Sequence, residues 1–268
     1  MFFRNLAISI LLFSVLSLNI QAYSQQRIKG FYLSNFKEDG ARAWEVKGEE
    51  AVIYEEHVDI DYMHAKYYAE DDTIDIVSRK AKMNTKNMNV HLKDDVVVTN
   101  KEGLKLSTDY LNWQRDENKM MTDDLVKVSN DSMEIKAEGL LADTEFKKAD
   151  FQKNVEVTLP NKEDNSLTTI TCSGPLEVEY NKGIAVFNDN VEAMGKEGKI
   201  FSDKLTLYMD VETKEMKKMV SEGNVKIIRE GNVIFSQKAT YLGDEGKIIL
   251  EGRPRLLYFS QEDETDLE

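Results

Sequence analysis

The feature that most constrains this chain is a recurrence. An apolar residue opens a Ser/Thr/Lys/Glu-rich segment at Val46, Ile76, Leu106, Ile135, Ile170, Ile200 and Ile234, in steps of 30, 30, 29, 35, 30 and 34 residues by subtraction. A second apolar anchor follows at Ala51, Ala81, Leu111, Leu140, Leu176, Leu205 and Ala239. A third recurs after a charged or Asn/Gly-containing piece, at Val96, Val126, Val155, Val191, Val225 and Pro254. Self-similarity at this period means one supersecondary unit repeated, each unit too small to bury its own apolar face and stable only by stacking on its neighbours.

The unit is built of strands. Leu104/Leu106, Leu111/Trp113, Val155/Val157/Leu159, Leu205/Leu207 and Val225/Ile227 alternate with polar residues, and no sustained helical period appears after residue 22. In six of the seven copies the first two anchors are five residues apart. An odd spacing sends them to opposite faces of a regular strand, so a bulge or corner must lie between them, at polar pairs such as Thr108-Asp109 and Ser202-Asp203. The expected fold is all-β: an elongated antiparallel jellyroll of about seven two-strand repeats, its sheet folded over into two walls with an apolar seam between them. Only three prolines in 268 residues suits such a long ladder of paired backbone.

Turn chemistry places hairpin connections at Lys93-Asp94-Asp95, Glu117-Asn118-Lys119, Asn181-Lys182-Gly183, Glu222-Gly223-Asn224 and Asp244-Glu245-Gly246. Pro160 to Ser166, inside the step lengthened to 35, reads as a linker between two arrays, 27–160 and 167–260, with an acidic tail at 261–268. Residues 1–22 have a short basic start, an apolar run from Leu6 to Ile20 and a small residue at Ala22, the pattern of a secretory signal peptide or a signal anchor. Export is therefore expected, with membrane anchoring as the variant if the segment is retained.

A formal net charge of −14 argues against nucleic acid as a partner. One cysteine, Cys172, excludes an intramolecular disulfide and reads as a small core residue. His57, His64 and His91 lack the companions of a metal site, and neither a metal nor another cofactor is expected. Asp94-Asp95 reads as a charged turn. Asp109 and Asp203 occupy equivalent repeat positions and are expected to satisfy backbone groups at strand corners, because a catalytic pair has no reason to recur with the repeat. No enzyme is expected. Trp44 and Trp113 are placed at the mouth of the seam, packing there or meeting a ligand.

The run IKGFYLSNFKEDGARAWEVKGEEA, a G-x-x-L-x-T-D-x-L-x-W hairpin at Gly103 to Trp113 and the returning strand QKNVEVTL resemble the LptC family of lipopolysaccharide-export proteins. GKIFSDKLTLYMDVETKEMKKMVSEGNVKIIR resembles the related OstA/LptA repeat. What the resemblance implies is a periplasmic β-jellyroll, or β-taco, anchored in the inner membrane if the N-terminal segment is kept, whose interior takes the lipid A acyl chains of lipopolysaccharide from an inner-membrane Lpt ABC transporter and passes them to other jellyroll Lpt proteins by edge-strand pairing. The LptC pattern ends near Pro160, so the second array implies a protein that combines docking and bridging. On this reading the lipid-facing residues are Val46, Ile76, Leu106, Leu111, Ile135, Leu140, Ile170, Leu176, Ile200, Leu205 and Ile234. The same anchors could equally close on one another as the dry core of a structural β-solenoid or adhesion-type protein. A β-helix polysaccharide enzyme would need a cluster of acids on one turn that the chain lacks.

Overall fold

In the computed structural model, residues 26–69, 72–160, 164, 166–213 and 215–258 are described. The apolar segment 1–22, the acidic tail 261–268, Asp71 and much of the 160–166 linker fall outside them.

The described residues form seventeen strands in one antiparallel sheet. They are β1 Gln26–Phe36, β2 Arg42–Ile53, β3 His57–Tyr68, β4 Thr73–Asn84, β5 Val90–Thr99, β6 Lys105–Gln114, β7 Lys119–Ser129, β8 Glu134–Asp143 and β9 Lys148–Pro160. There follow β10 Leu167–Cys172, β11 Leu176–Glu179, β12 Ile184–Gly195, β13 Gly198–Met209, β14 Met216–Arg229, β15 Asn232–Leu242, β16 Lys247–Glu251 and β17 Arg255–Leu257. Each long strand pairs with the one before and the one after it. β10 and β11 are two halves of one interrupted strand, lying end to end between β9 and β12. β16 and β17 stand in the same relation along β15.

From β4 onward the ladders between long strands shift register near mid-strand. Register shifts fall between Val77 and Lys80, Lys93 and Val96, Thr108 and Asn112, Thr122 and Leu125, Asn188 and Val191, Phe201 and Lys204, and Glu222 and Val225. These are the expected corners, and burial follows them. On β4 the inward residues are Ile74, Ile76 and Ser78, then Ala81 and Met83; on β6 they are Leu106 and Thr108, then Leu111 and Trp113. The inward positions step by three across the corner, so both halves bury the same side. On most returning strands the step is four; β3 keeps three, from Ile60 to Met63. Leu92 and Val96, Thr122 and Val126, Phe151 and Val155, and Phe187 and Val191 are inward, with three outward residues between each pair.

Two expected hairpin connections are corrected here. Lys93-Asp94-Asp95 lies within β5 and Glu222-Gly223-Asn224 within β14, both at corners. Asp94, Asp95, Gly223 and Asn224 all have positive φ, as do Asn154, Asp189 and Asn190 at the matching place on β9 and β12. Asp, Asn and Gly tolerate the left-handed region better than other residues, whether it closes a hairpin or bends a strand, so composition alone does not separate the two uses. The segments 117–119, 181–183 and 244–246 do connect strands.

Corner hydroxyls satisfy much of the local backbone. Thr108 Oγ1 donates to the Leu125 carbonyl at 2.9 Å, Ser236 Oγ to the Lys238 carbonyl at 3.1 Å, and Thr122 Oγ1 accepts from the Asp124 N–H at 3.1 Å. The aspartate at the β13 corner acts differently from expectation. Asp203 accepts from the side chain of Asn224 at 2.9 Å and lies over Gly223, where an added Cβ would clash with its Oδ2.

Replacing Gly223 by Ala is therefore expected to cost about 2 kcal/mol, through its positive φ and the displaced Asp203. Gly103→Ala, also at positive φ but in open space, should cost about 1 kcal/mol, the difference being read by urea unfolding of the two variants.

Candidate functional site

Between the walls runs one buried apolar cluster, from Val46 through Leu207. Val46, Ile76, Leu106, Leu111, Ile135, Leu140, Ile170, Leu176 and Leu205 all belong to it. Ile200 is half-buried and touches both this cluster and a smaller one of Val225, Ile227 and Ala239, against which Ile234 packs. The sequence-derived set is thus brought into one line along the molecule, loosening toward its C-terminal end. Leu106 and Leu111 have no exposed surface, so along β6 the seam is filled by the protein's own side chains. The β9–β10 ladder pairs Pro160 with Leu167, and the cluster continues past it through Ile170 and Leu176.

The walls join at the corners along one side and present turns along the other, the mouth. There Tyr67, at the end of β3, meets Trp113, near the end of β6, edge to face with centroids 5.8 Å apart. Arg115 lies over the Trp44 ring at 5.8 Å. Both tryptophans pack on the cluster at the mouth. Sequence reasoning missed their companions. Met88 and Phe146 sit in turns at positive φ and pack on the cluster, Phe146 almost wholly buried, and Tyr180 packs beside them from a short 3-10 turn, Tyr180–Lys182. Each is an isolated apolar residue in a charged loop, and only the shared position after a strand end could have singled it out.

The outer faces are charged. Glu134 bridges Lys127 at 2.7 Å and Lys136 at 3.2 Å, and these hydrogen bonds hold its carboxyl below the usual range. His64 lies 2.8 Å from Asp75, and His91 shares a 3.1 Å hydrogen bond with Tyr110. His57 lies 3.6 Å from Asp59. Among the described residues no three His, Cys, Asp or Glu side chains converge as a metal site. None of their helices is long and apolar enough to cross a membrane.

The two ends of the sheet differ from its middle. β1 pairs only with β2 among the described strands and exposes Ile28, Tyr32, Leu33 and Phe36; β16 and β17 expose Ile248, Ile249, Leu256 and Leu257.

A bent antiparallel sheet with its apolar side chains aligned inside and its charges outside is a β-jellyroll of repeated hairpins. Comparison with family models matches residues 6–160 to the LptC-related lipopolysaccharide-assembly family and residues 170–264 to the LptA/LptD N-terminal domain of lipopolysaccharide transport proteins. The first match spans more than half of the chain, and the chain belongs to that LptC-related family. It is a component of periplasmic lipopolysaccharide transport. Among solved structures, LptH of Pseudomonas aeruginosa, the LptA homologous periplasmic component of its lipopolysaccharide transport device, is similar at 12% identity. The match covers 70% of this chain and 95% of that one with a TM-score of 0.23, too low to compare sites. A comparison with curated proteins gives no match.

Cys172 reports on the seam. Burial pushes its thiol up to about 11, and its Sγ donates to the Gly174 carbonyl at 3.3 Å. At pH 8 the thiolate population falls to roughly a thousandth, so Ellman's reagent should label the native chain at least tenfold more slowly than the urea-unfolded chain. Equal rates would mean that the seam stands open at this point.

Proposed function

We propose that the seam shelters the acyl chains of lipopolysaccharide and that the two exposed sheet ends join the chain to its neighbours. The observation that carries this reading is the unbroken line of apolar side chains from Val46 to Leu207, linked through Ile200 to Val225 and Ile227. Each acyl CH₂ kept from water is worth about 0.8 kcal/mol, so a chain of about a dozen carbons faces a barrier on the order of 10 kcal/mol if it crosses water unprotected. A continuous apolar path lowers that barrier at every step. Because the inward residues fill the seam, a chain enters by parting the rims, displacing contacts such as Tyr67 on Trp113.

On this reading the array 27–160 docks on the inner-membrane Lpt ABC transporter and the array 167–260 extends the path outward. The unpartnered side of β1 and the outer side of β16 and β17 offer backbone groups and apolar side chains for strand addition by other jellyroll proteins. Residues 1–22 direct export and, if kept, anchor the chain. The net charge of −14 supports holding an anionic lipid by its tails rather than its phosphates.

Photo-crosslinking in cells tests the seam. A photoreactive residue at Leu106 or Ile200 should form lipopolysaccharide adducts, and one at outward Lys105 should not; silence at both inward positions would leave a closed structural core as the better reading. For the edges, Leu33→Asp together with Phe36→Asp should reduce capture of partner jellyroll proteins at least tenfold, without lowering the melting temperature by more than a few degrees, since both residues are exposed. Undiminished capture would remove β1 as a docking strand. Fractionation with and without residues 1–22 decides the anchoring.

A further inference from the structure

Buried polar atoms without a partner fall in an ordered pattern. Among the described residues Ser78, Ser202 and Ser221 hydroxyls lie at the corners, while Asn112, His64 and Glu179 belong to outward positions, the last two beside Asp75 and Lys182. The remaining four are Trp44 Nε1, Trp113 Nε1, Thr144 Oγ1 and the Tyr180 hydroxyl, and all four lie at the mouth. Trp113 stands near the end of β6, Thr144 in the turn after β8 and Tyr180 in the turn after β11, on one rim; Trp44 stands at the start of β2, on the other. Part of Tyr180 reaches the surface, yet its hydroxyl has essentially no contact with solvent, and burial pushes the phenol up, so it stays a donor.

Groups withdrawn from water without a hydrogen bond are costly and rare in folded proteins, and a row of them at one boundary calls for a common partner. Its chemistry follows from theirs. An indole N–H only donates, and the phenol and the threonine hydroxyl can donate, so the partner supplies acceptors. None of the four is a cation, so an uncharged acceptor suffices for them. It lies where an apolar interior gives way to solvent, and that is where the carbonyl oxygen of an ester or amide heads an acyl chain.

We propose that the rim carries a series of donor sites for acyl carbonyl oxygens: Trp113, Thr144 and Tyr180 in succession, with Trp44 facing them. Each site lies two strand spacings from the next, roughly 10 Å. A lipid moving along the seam then exchanges one carbonyl contact for the next as its chains advance. This inference rests on the acyl-chain reading of the seam and adds to it the recognition of how the chains are attached.

The test compares two lipids of equal chain length, dimyristoyl phosphatidylglycerol, which has ester carbonyls, and its diether twin, which has none. Each displaces the fluorescent apolar probe N-phenyl-1-naphthylamine from the purified chain. The ester lipid should displace it at about tenfold lower concentration. Tyr180→Phe, which removes one oxygen, and Thr144→Val should each reduce that ratio about threefold, leaving displacement by the diether lipid and the melting temperature unchanged. A merely structural role would alter both lipids alike. Equal displacement by the two lipids, or a ratio untouched in both variants, overturns the carbonyl sites while leaving the apolar seam in place. Failure of both lipids and of lipopolysaccharide to displace the probe overturns the two readings together.

Discussion

Everything in this molecule depends on how a strand turns a corner without giving up its ladder. A straight strand alternates its side chains between two faces, and a sheet of straight strands could bury one face only against another element. Here the long strands from β4 onward shift register near mid-length, so that the second half faces back toward the first. Outgoing strands turn by a three-residue step between inward side chains, as from Thr108 to Leu111; most returning strands use a four-residue step, with left-handed Asp, Asn or Gly, as from Leu92 to Val96 through Asp94 and Asp95. The sheet then supplies both walls of its own core.

Two consequences meet in the seam. The inward positions must be apolar because no backbone or solvent reaches them, and the corner positions must be small or hydroxylated because strands crowd there. Ser78, Thr108, Thr122 and Ser202 fill the latter role at the inner side of the bend. On the outer side Asp203 over Gly223 and Gln152 over Gly139 show how closely adjacent corners pack. The mouth lacks covalent or ladder closure. It is held by contacts such as Tyr67 on Trp113 and by single apolar residues turned inward from loops, so the seam is strongest along its back and weakest where a ligand would come in.

Much of the fold was legible because the repeat exposes the same physical requirement many times over. The five-residue spacing of Ile76 and Ala81, or of Leu106 and Leu111, demanded a corner, and the corner is where it was expected. The charged pieces at 93–95 and 222–224 were misplaced because a left-handed bend inside a strand and a tight turn between strands recruit the same residues. Within the candidate site, the line of anchors was legible, and its closure on itself was not, since alternation specifies which side chains point inward but not how tightly opposing walls approach. Phe146 and Tyr180 were illegible for a different reason: a lone aromatic in a polar loop has no period to betray it, and its burial depends on the wall opposite.

The strand order carries one more meaning. Apart from the broken strands flanking β12 and β15, each strand pairs with its sequence neighbours alone, from β1 at one end to β17 at the other. No strand waits for a partner synthesised much later. A chain delivered across a membrane from its N-terminus can therefore be laid down hairpin by hairpin, each new strand closing only a short loop on an already formed template, and the growing edge is covered as soon as the next strand emerges. A sheet paired almost wholly between sequence neighbours is thus also one that can assemble in the order in which its chain emerges.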